Sequence, residues 1–301
     1  MNPIPILRRS VSGISALTVA ILVLTGCTDH SGNTDSAASS TTQLPIPFTG
    51  LTQDMRIRWT AEPGIDLLTV PVVVIRAYRE SYVLGGLMAS PKFFYPGFEN
   101  AVPSNGHSGR DLDIRPYIKG DAHLEDSGFQ TTTPIAGTWR EHILSLTGDP
   151  TSGYTAKVCS WNYATAVRLP NGQYRYPHRF PPEPPDTADQ LTGIGMFRIT
   201  LKAPSQSKFD PTTAPQRGSA PNPTTDVFGG WKILNADNLS TEAWLGEPND
   251  WPLKEFGEDQ KACMTKAPDP FEKRAFYVTG EHPKSDFPTQ PADPGWPAAG
   301  T

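Results

Sequence analysis

"IGMFRITLKA", residues 194–203, decides the fold: Phe197, Ile199 and Leu201 interleave with Arg198, Thr200 and Lys202. A period of two puts one row of side chains on a dry face and the other on a wet one, as in a half-buried antiparallel strand. Three further stretches share the pattern. "TWREHILSLTG" (138–148), "YTAKVCSWNYATAV" (154–167) and "FGGWKILNA" (228–236) read as strands. In the second of these, Cys159, Trp161, Tyr163 and Val167 fall on one face. "GDPTSG" (148–153) turns the chain between the first two, and Asn171-Gly172 within "VRLPNGQYRY" signals a hairpin. These runs predict an antiparallel sheet.

Before the strands the period lengthens. "VPVVVIRAYRESYVLGGLMASP" (70–91) predicts a helix with Pro71 near its first turn and Pro91 as its stop. On a helical projection Arg76, Arg79 and Glu80 form one polar wedge, opposite Val74, Ala77, Tyr78, Ser81, Tyr82, Gly85 and Met88. The amphipathic helix is thus expected to lay its aromatic stripe on the sheet. Such a stripe reads first as core and second as a ligand lining. After the strands, "DWPLKEFGEDQKACMTKAPDP" (250–270) predicts another helix, capped by Asp250, with Leu253, Phe256, Gln260 and Cys263 on one side. The last stretch, residues 271–301, is proline-rich: prolines 283, 288, 291, 294 and 297 exclude a central strand and predict an extended surface tail.

The front of the chain carries an address. Residues 1–11, "MNPIPILRRSV", have Arg8 and Arg9 and no acid, and an uncharged apolar run over 13–25 follows, short for a permanent membrane span. Leu24-Thr25-Gly26-Cys27 then resembles a bacterial lipobox, in which small residues admit the peptidase and the thiol accepts lipid. The alternative is an ordinary secretory signal with an incidental cysteine, or an uncleaved anchor. "RRSVSG" lacks the apolar residues that a twin-arginine signal places after its pair. The lipobox implies a signal peptide over 1–26, acyl chains such as palmitate on Cys27, and a cell-membrane anchor on the extracytoplasmic face. Two or more chains attach a protein firmly where one does not.

Cys27 also resolves the cysteine count. Of three cysteines, one consumed by lipid leaves Cys159 and Cys263, an even pair in an oxidising compartment. A disulfide between them would close a loop of about 100 residues, for which chain entropy sets a ceiling of about 4.7 kcal/mol. The alternative is two buried thiols. Residues 27–48 form a Ser/Thr-rich tether without apolar periodicity, and a single α+β domain is expected over 49–270, with long loops at 103–137 and 204–226. Loss of Arg8 and Arg9 with the signal leaves a side-chain net charge of about −7, which argues against nucleic acid or polybasic attachment to anionic lipid.

An N-terminal amphipathic helix on a curved antiparallel sheet resembles the NTF2-like (SnoaL-like) α+β cone, over roughly residues 65–240. The set LTGC, "RAYRESY", "AKVCSWNYA", "VFGGWKI" and "KAPDPFEKRAFYVTGEHPKSDFPTQPADPGWPA" is similar to an uncharacterised family of actinobacterial, particularly mycobacterial, lipoproteins. The second resemblance implies location but no activity.

Motifs for chemistry are sparse. "GHSGR" (106–110) sets Ser108 beside His107, but a nucleophile elbow needs glycine where Arg110 stands. Asp111 and Asp113 precede "DAHLED", which offers Asp121, His123, Glu125 and Asp126; a solvated acidic loop is favoured over a metal site, because "DLDIRP" lacks the third ligand and glycine of a calcium loop. No cofactor is implied. His142 reads as a core-edge histidine, or as an acid or base if it faces a cone cavity. Tyr78, Tyr82, His142, Trp161 and Tyr163 therefore form the candidate ligand pocket, with space left by the small Ser81 and Gly85. The favoured reading is a non-enzymatic envelope lipoprotein that binds a hydrophobic small molecule or envelope component. The alternatives are an NTF2-like enzyme moving a proton on an apolar substrate, and a surface or spacer protein.

Overall fold

A computed structural model describes residues 47–105, 114–120, 130–177, 193–205, 214–238 and 251–300. Cys27, His107, Ser108, Asp111, Asp113, the 121–126 cluster and Asp250 lie outside the described residues. In chain order the elements are β1 (Asp54–Ala61), α1 (Val72–Met88), α2 (Phe98–Ala101), β2 (Ile135–Asp149), β3 (Gly153–Trp161), β4 (Thr165–Arg168), β5 (Tyr174–Arg175), β6 (Ile194–Lys202), β7 (Lys232–Asp237), α3 (Leu253–Thr265) and α4 (Phe271–Val278). The strands form one curled, half-barrel sheet in the order β5-β4-β2-β3-β6-β7, with β1 paired to β2. The class is α+β.

The alternating stretches are strands, with instructive edges. β6 spans the cleanest of them and pairs antiparallel with β3. The expected strand 154–167 breaks after Trp161, where Thr165 turns back to donate its amide (3.0 Å) and hydroxyl (2.7 Å) to the Asn162 carbonyl. The stretch 228–236 becomes strand only from Lys232, because Gly229 and Gly230 take positive φ and make a turn. Asn171-Gly172 makes the expected hairpin between β4 and β5.

The sheet is antiparallel except at one pair. β1 runs parallel to β2, which corrects the purely antiparallel expectation. "DMRIRWTA" carries the same period-two signal, with Met55, Ile57 and Trp59 buried. A parallel neighbour requires a long crossover, and the connection through α1 supplies it.

Alternation then divides the core. Odd residues of β1 and β2 (Ile57, Trp59, Trp139, Ile143) join Ala156, Val158, Ile199 and Leu201 against α1. On the opposite face Cys159, Trp161 and Met196 pack with Trp251, Cys263, Tyr277 and Phe287. The Cys159–Cys263 disulfide is present, with Cα atoms 5.3 Å apart, and it staples α3 to β3. Lys157 holds the same helix by ion pairs of 2.6 Å to Glu255 and Asp259.

Two expectations fail here. The polar wedge of α1 is not on the surface: Arg76, Arg79 and Glu80 are at most 2 % exposed. The helix is buried nearly all round, and its charges find partners inside, so a projection that equates charge with solvent misorients it. The C-terminal stretch is not a surface tail either. Its first part is the helix α4, and its later part, though extended, buries Phe287 and Trp296. It lies along β1, where the Trp59 amide donates to the Asp293 carbonyl at 2.7 Å and Arg58 pairs with Asp293 at 2.8 Å. A proline-rich strand segment suits an edge, where missing amide donors cost nothing to a central ladder.

Candidate functional site

Two polar centres occupy the α1 face, and both are dry. The Glu80 carboxylate accepts from Trp59 Nε1 (2.8 Å), Tyr95 hydroxyl (2.7 Å) and Trp296 Nε1 (2.8 Å). Arg76 lies 4.2 Å over the Trp296 ring and donates to the carbonyls of Leu67 and Pro294. One turn on, Arg79 donates to Glu141 Oε1 at 3.1 Å, and Ser160 and Trp139 donate to the same oxygen. Arg79 also lies 3.4 Å over the Phe197 ring. Burial pushes the carboxyls of Glu80 and Glu141 up, against the pull of the neighbouring arginines and donors. With both partners sealed from solvent, these pairs fix where α1 sits; they cannot meet a ligand.

The expected space beside Ser81 and Gly85 is filled. A Cβ on Gly85 would stand 2.2 Å from the Phe94 ring, and Ser81 Oγ accepts the Tyr95 amide at 3.0 Å. Tyr78 is fully buried and donates to the Ile114 carbonyl at 2.8 Å. Tyr82 sits 6.2 Å from Phe197 on the same side of the sheet. Trp161 and Tyr163 belong to the opposite side, so the four aromatics do not converge. The strand face chosen for α1 is the wrong one, because Trp161 alternates with Ser160, and it is Ser160 that points to the helix.

The opposite face opens instead. A cleft of about 410 Å3 is lined by Arg58, Thr60, Glu62, Arg140, His142 and Trp161, with Lys266 and Pro268 closing it from the end of α3. Strand register builds it. Arg58 and Thr60 of β1 stand beside Arg140 and His142 of β2, which stand beside Trp161 and Cys159 of β3. All point to one face because they are two residues apart along each strand. The His142 ring stacks on Trp161 with centroids 5.6 Å apart and planes at 23°. His142 Nδ1 lies 2.8 Å from Thr60 Oγ1, and Nε2 lies 3.0 Å from Glu62 Oε1. Lys266 reaches the same carboxylate oxygen at 2.6 Å.

Charge in the cleft is uneven. Lys266 and then His142 hold the Glu62 carboxyl below its usual range, while burial pushes the His142 imidazole down against Glu62. Arg140 is weakly engaged: Asp269 is 3.7 Å away and is itself shared with the Tyr163 hydroxyl (3.0 Å) and Lys273 (2.6 Å). Arg140 Nη1 makes no hydrogen bond among the described residues. Lys266 is taken by Glu62 and Arg58 by Asp293, and Glu141 turns its side chain to Arg79, so Arg140 is the lining cation with the most distant carboxylate.

Of the expected pocket residues, the cleft brings together His142 and Trp161. Tyr163 lies beyond it, stacked 6.1 Å from Tyr277 with its hydroxyl pushed up by burial and by Asp269. Tyr78 and Tyr82 are on the far side of the sheet. The residues that patterning does not single out are Arg58, Thr60 and Glu62, on or just past β1, and Arg140 and Lys266. The alternation of "MRIRWTAE" was the available signal for the first three. No group of three or more acidic, histidine or cysteine side chains suited to a metal occurs among the described residues, and none of the described helices is long and apolar enough to cross a membrane. No family model, curated protein or solved structure matches this chain.

Proposed function

We propose that this chain is an envelope lipoprotein, anchored through acylated Cys27 on the extracytoplasmic face, whose folded domain binds a small anionic molecule with a flat apolar part. The cleft carries this reading. Trp161 and His142 offer a stacked, rigid platform, and Arg140, with 21 % of its side chain exposed and its nearest carboxylate 3.7 Å away, offers fork-shaped donors suited to a carboxylate. Arg58 and Lys266 stand at the rim, each paired with its own carboxylate. An aromatic surface beside a cation selects a planar anion over a neutral apolar ligand, so the ligand class moves from hydrophobic to amphipathic. The curled sheet with α1 against one face supports kinship with the NTF2-like cone. LTGC supports the anchor, and the lipoprotein resemblance agrees with it.

Calorimetric titration of the intact protein with benzoate, and with benzyl alcohol as its neutral counterpart, tests the cleft. Benzoate binds and the alcohol does not; Arg140→Gln weakens benzoate about tenfold or more, as loss of a charge-assisted pair should. Equal binding of both, or of neither, removes the anion reading, and the second outcome favours a surface or spacer role. For the anchor, Cys27→Ala expressed in a lipoprotein-competent host loses the acyl mass. A lipidated mass unchanged in that variant removes the localisation.

A further inference from the structure

Binding an anion does not require the contacts that surround His142. Thr60 is exposed at the mouth of the cleft, and its hydroxyl meets Nδ1; Glu62 meets Nε2 and is pinned by Lys266. A carboxylate held in its ionised form only accepts, so Nε2 carries the proton and Nδ1 is left with its lone pair toward the Thr60 hydroxyl. Burial keeps the ring neutral near physiological pH, which leaves that lone pair available. Trp161 stacks on the ring, and the Trp161 indole is itself fixed by donation to the Cys263 carbonyl at 3.0 Å. A hydroxyl, a neutral imidazole acceptor and an orienting carboxylate are the three parts of a base-activated nucleophile.

The arrangement is built into the sheet. Thr60 and His142 are register partners across the parallel β1–β2 pair, and Glu62 follows two residues after Thr60 on the same side. Its amide donates to the Ile143 carbonyl at 3.0 Å, which ties the carboxylate's backbone to β2 just past His142. A site on strands holds its geometry better than one on a loop. Arg140 is the register neighbour of Arg58, one alternation back along both strands, so positive charge lies beside the reacting hydroxyl.

We infer that Thr60 and His142 hydrolyse a small ester whose acyl part carries an anionic group; this rests on the anion-binding reading of the same cleft. The Thr60 oxygen bonds to the acyl carbon while its proton passes to His142 Nδ1. The alcohol leaves as its carbon–oxygen bond breaks, taking that proton. Water then attacks the acyl-threonine, gives a proton to Nδ1, and Thr60 recovers it as the carboxylic acid departs. Nothing beyond ester and water is consumed. Thr60 and His142 are the catalytic residues, and Glu62 is a positioning residue.

The experiment measures release of 4-nitrophenol from 4-nitrophenyl hemisuccinate and from neutral 4-nitrophenyl acetate by the intact protein, alongside benzoate binding. The hemisuccinate turns over faster. Thr60→Val lowers the rate about 100-fold or more, the scale of a lost base-assisted attack, while Thr60→Ser stays within about tenfold of the parent. A fluorophosphonate probe labels the peptide containing Thr60 and fails to label it in His142→Gln. Glu62→Gln shifts the acid limb of the pH–rate profile to lower pH, since the protonated ring loses its carboxylate; a purely structural role would not move it. Benzoate binding without turnover, or full turnover in Thr60→Val, overturns the hydrolase and leaves the binding reading intact. Turnover with no preference for the anionic ester overturns the anion reading instead.

Discussion

Glu141 and His142 are neighbours on β2, yet they live in different media. Glu141 faces α1, and its pair with Arg79 is at most 1 % exposed on either side chain. His142 faces the cleft, where Glu62 and Lys266 pair at 2.6 Å with 31 % of the glutamate and 40 % of the lysine side chain in solvent. The same kinds of group therefore do two jobs. Behind the sheet, charges are walled in and fix one packing of α1. In front of it, they stay accessible and keep a neutral histidine oriented. Burial rather than residue type separates the two faces.

The largest effect is expected where the wall is breached on one side only. Glu141→Leu leaves Arg79 buried without its anion and should cost roughly 3–5 kcal/mol in urea denaturation, whereas adding Arg79→Met recovers much of the loss. A cost below about 1 kcal/mol would mean that the pair is solvated and that the two faces do not differ. Next comes the staple of the cleft face. Replacing Cys159 and Cys263 by serine should cost about 2–5 kcal/mol, read by the same urea denaturation. It should also loosen Lys266, three residues after Cys263, and weaken benzoate binding in parallel. Unchanged binding would detach the cleft from the disulfide.

A smaller effect tests the C-terminal segment. Trp296→Phe keeps an aromatic ring, though a smaller one, and removes one of three donors to Glu80, a change worth about 1.5–3 kcal/mol for a bond to a charged group. No change in stability would place residues 291–300 outside the fold.

The two faces should also respond to pH with opposite sign. Glu80 and Glu141 have raised values in the folded protein, so the stability linked to them is full below the ordinary carboxyl value of 4.5 and is lost as pH rises through their folded values. His142 and Glu62 have lowered values, so the unfolded chain binds more protons and stability rises with pH. The His142 contribution is full above 6.5 and is lost as pH falls toward its folded value; that of Glu62 is full above 4.5 and lost below it. Melting temperature against pH should therefore lose its rise near 6.5 in His142→Gln and keep it in Glu141→Gln. Loss in both would mean one coupled network across the sheet.

Much of the architecture is legible in short-range pattern. The strands around Trp161, Phe197 and Ile233, the helix from Val72 to Met88 and the Cys159–Cys263 pairing all follow from alternation, helical period and cysteine arithmetic. What is not legible depends on distant partners. Glu80 is buried because Trp59, Tyr95 and Trp296 surround it, and Trp296 stands 216 residues away in sequence. No local window contains that information. The cleft is hidden for a related reason. His142 and Trp161 are visible, but the residues bonded to the His142 ring, Thr60 and Glu62, lie on or just past a strand whose parallel pairing depends on the crossover through α1. Tyr163 misleads because the chain turns at Asn162 and takes it out of the ladder.

The most direct test of the division between the faces is proton-detected NMR of the His142 ring in the intact protein during a benzoate titration. The His142 signals are expected to shift and saturate with added benzoate, and Arg140→Gln to require about tenfold or more benzoate for the same shift, while the indole signals of Trp59 and Trp296, behind the sheet, stay in place. A His142 ring that ignores benzoate, or indole signals behind the sheet that move with it, would contradict the assignment of the open face as the functional one.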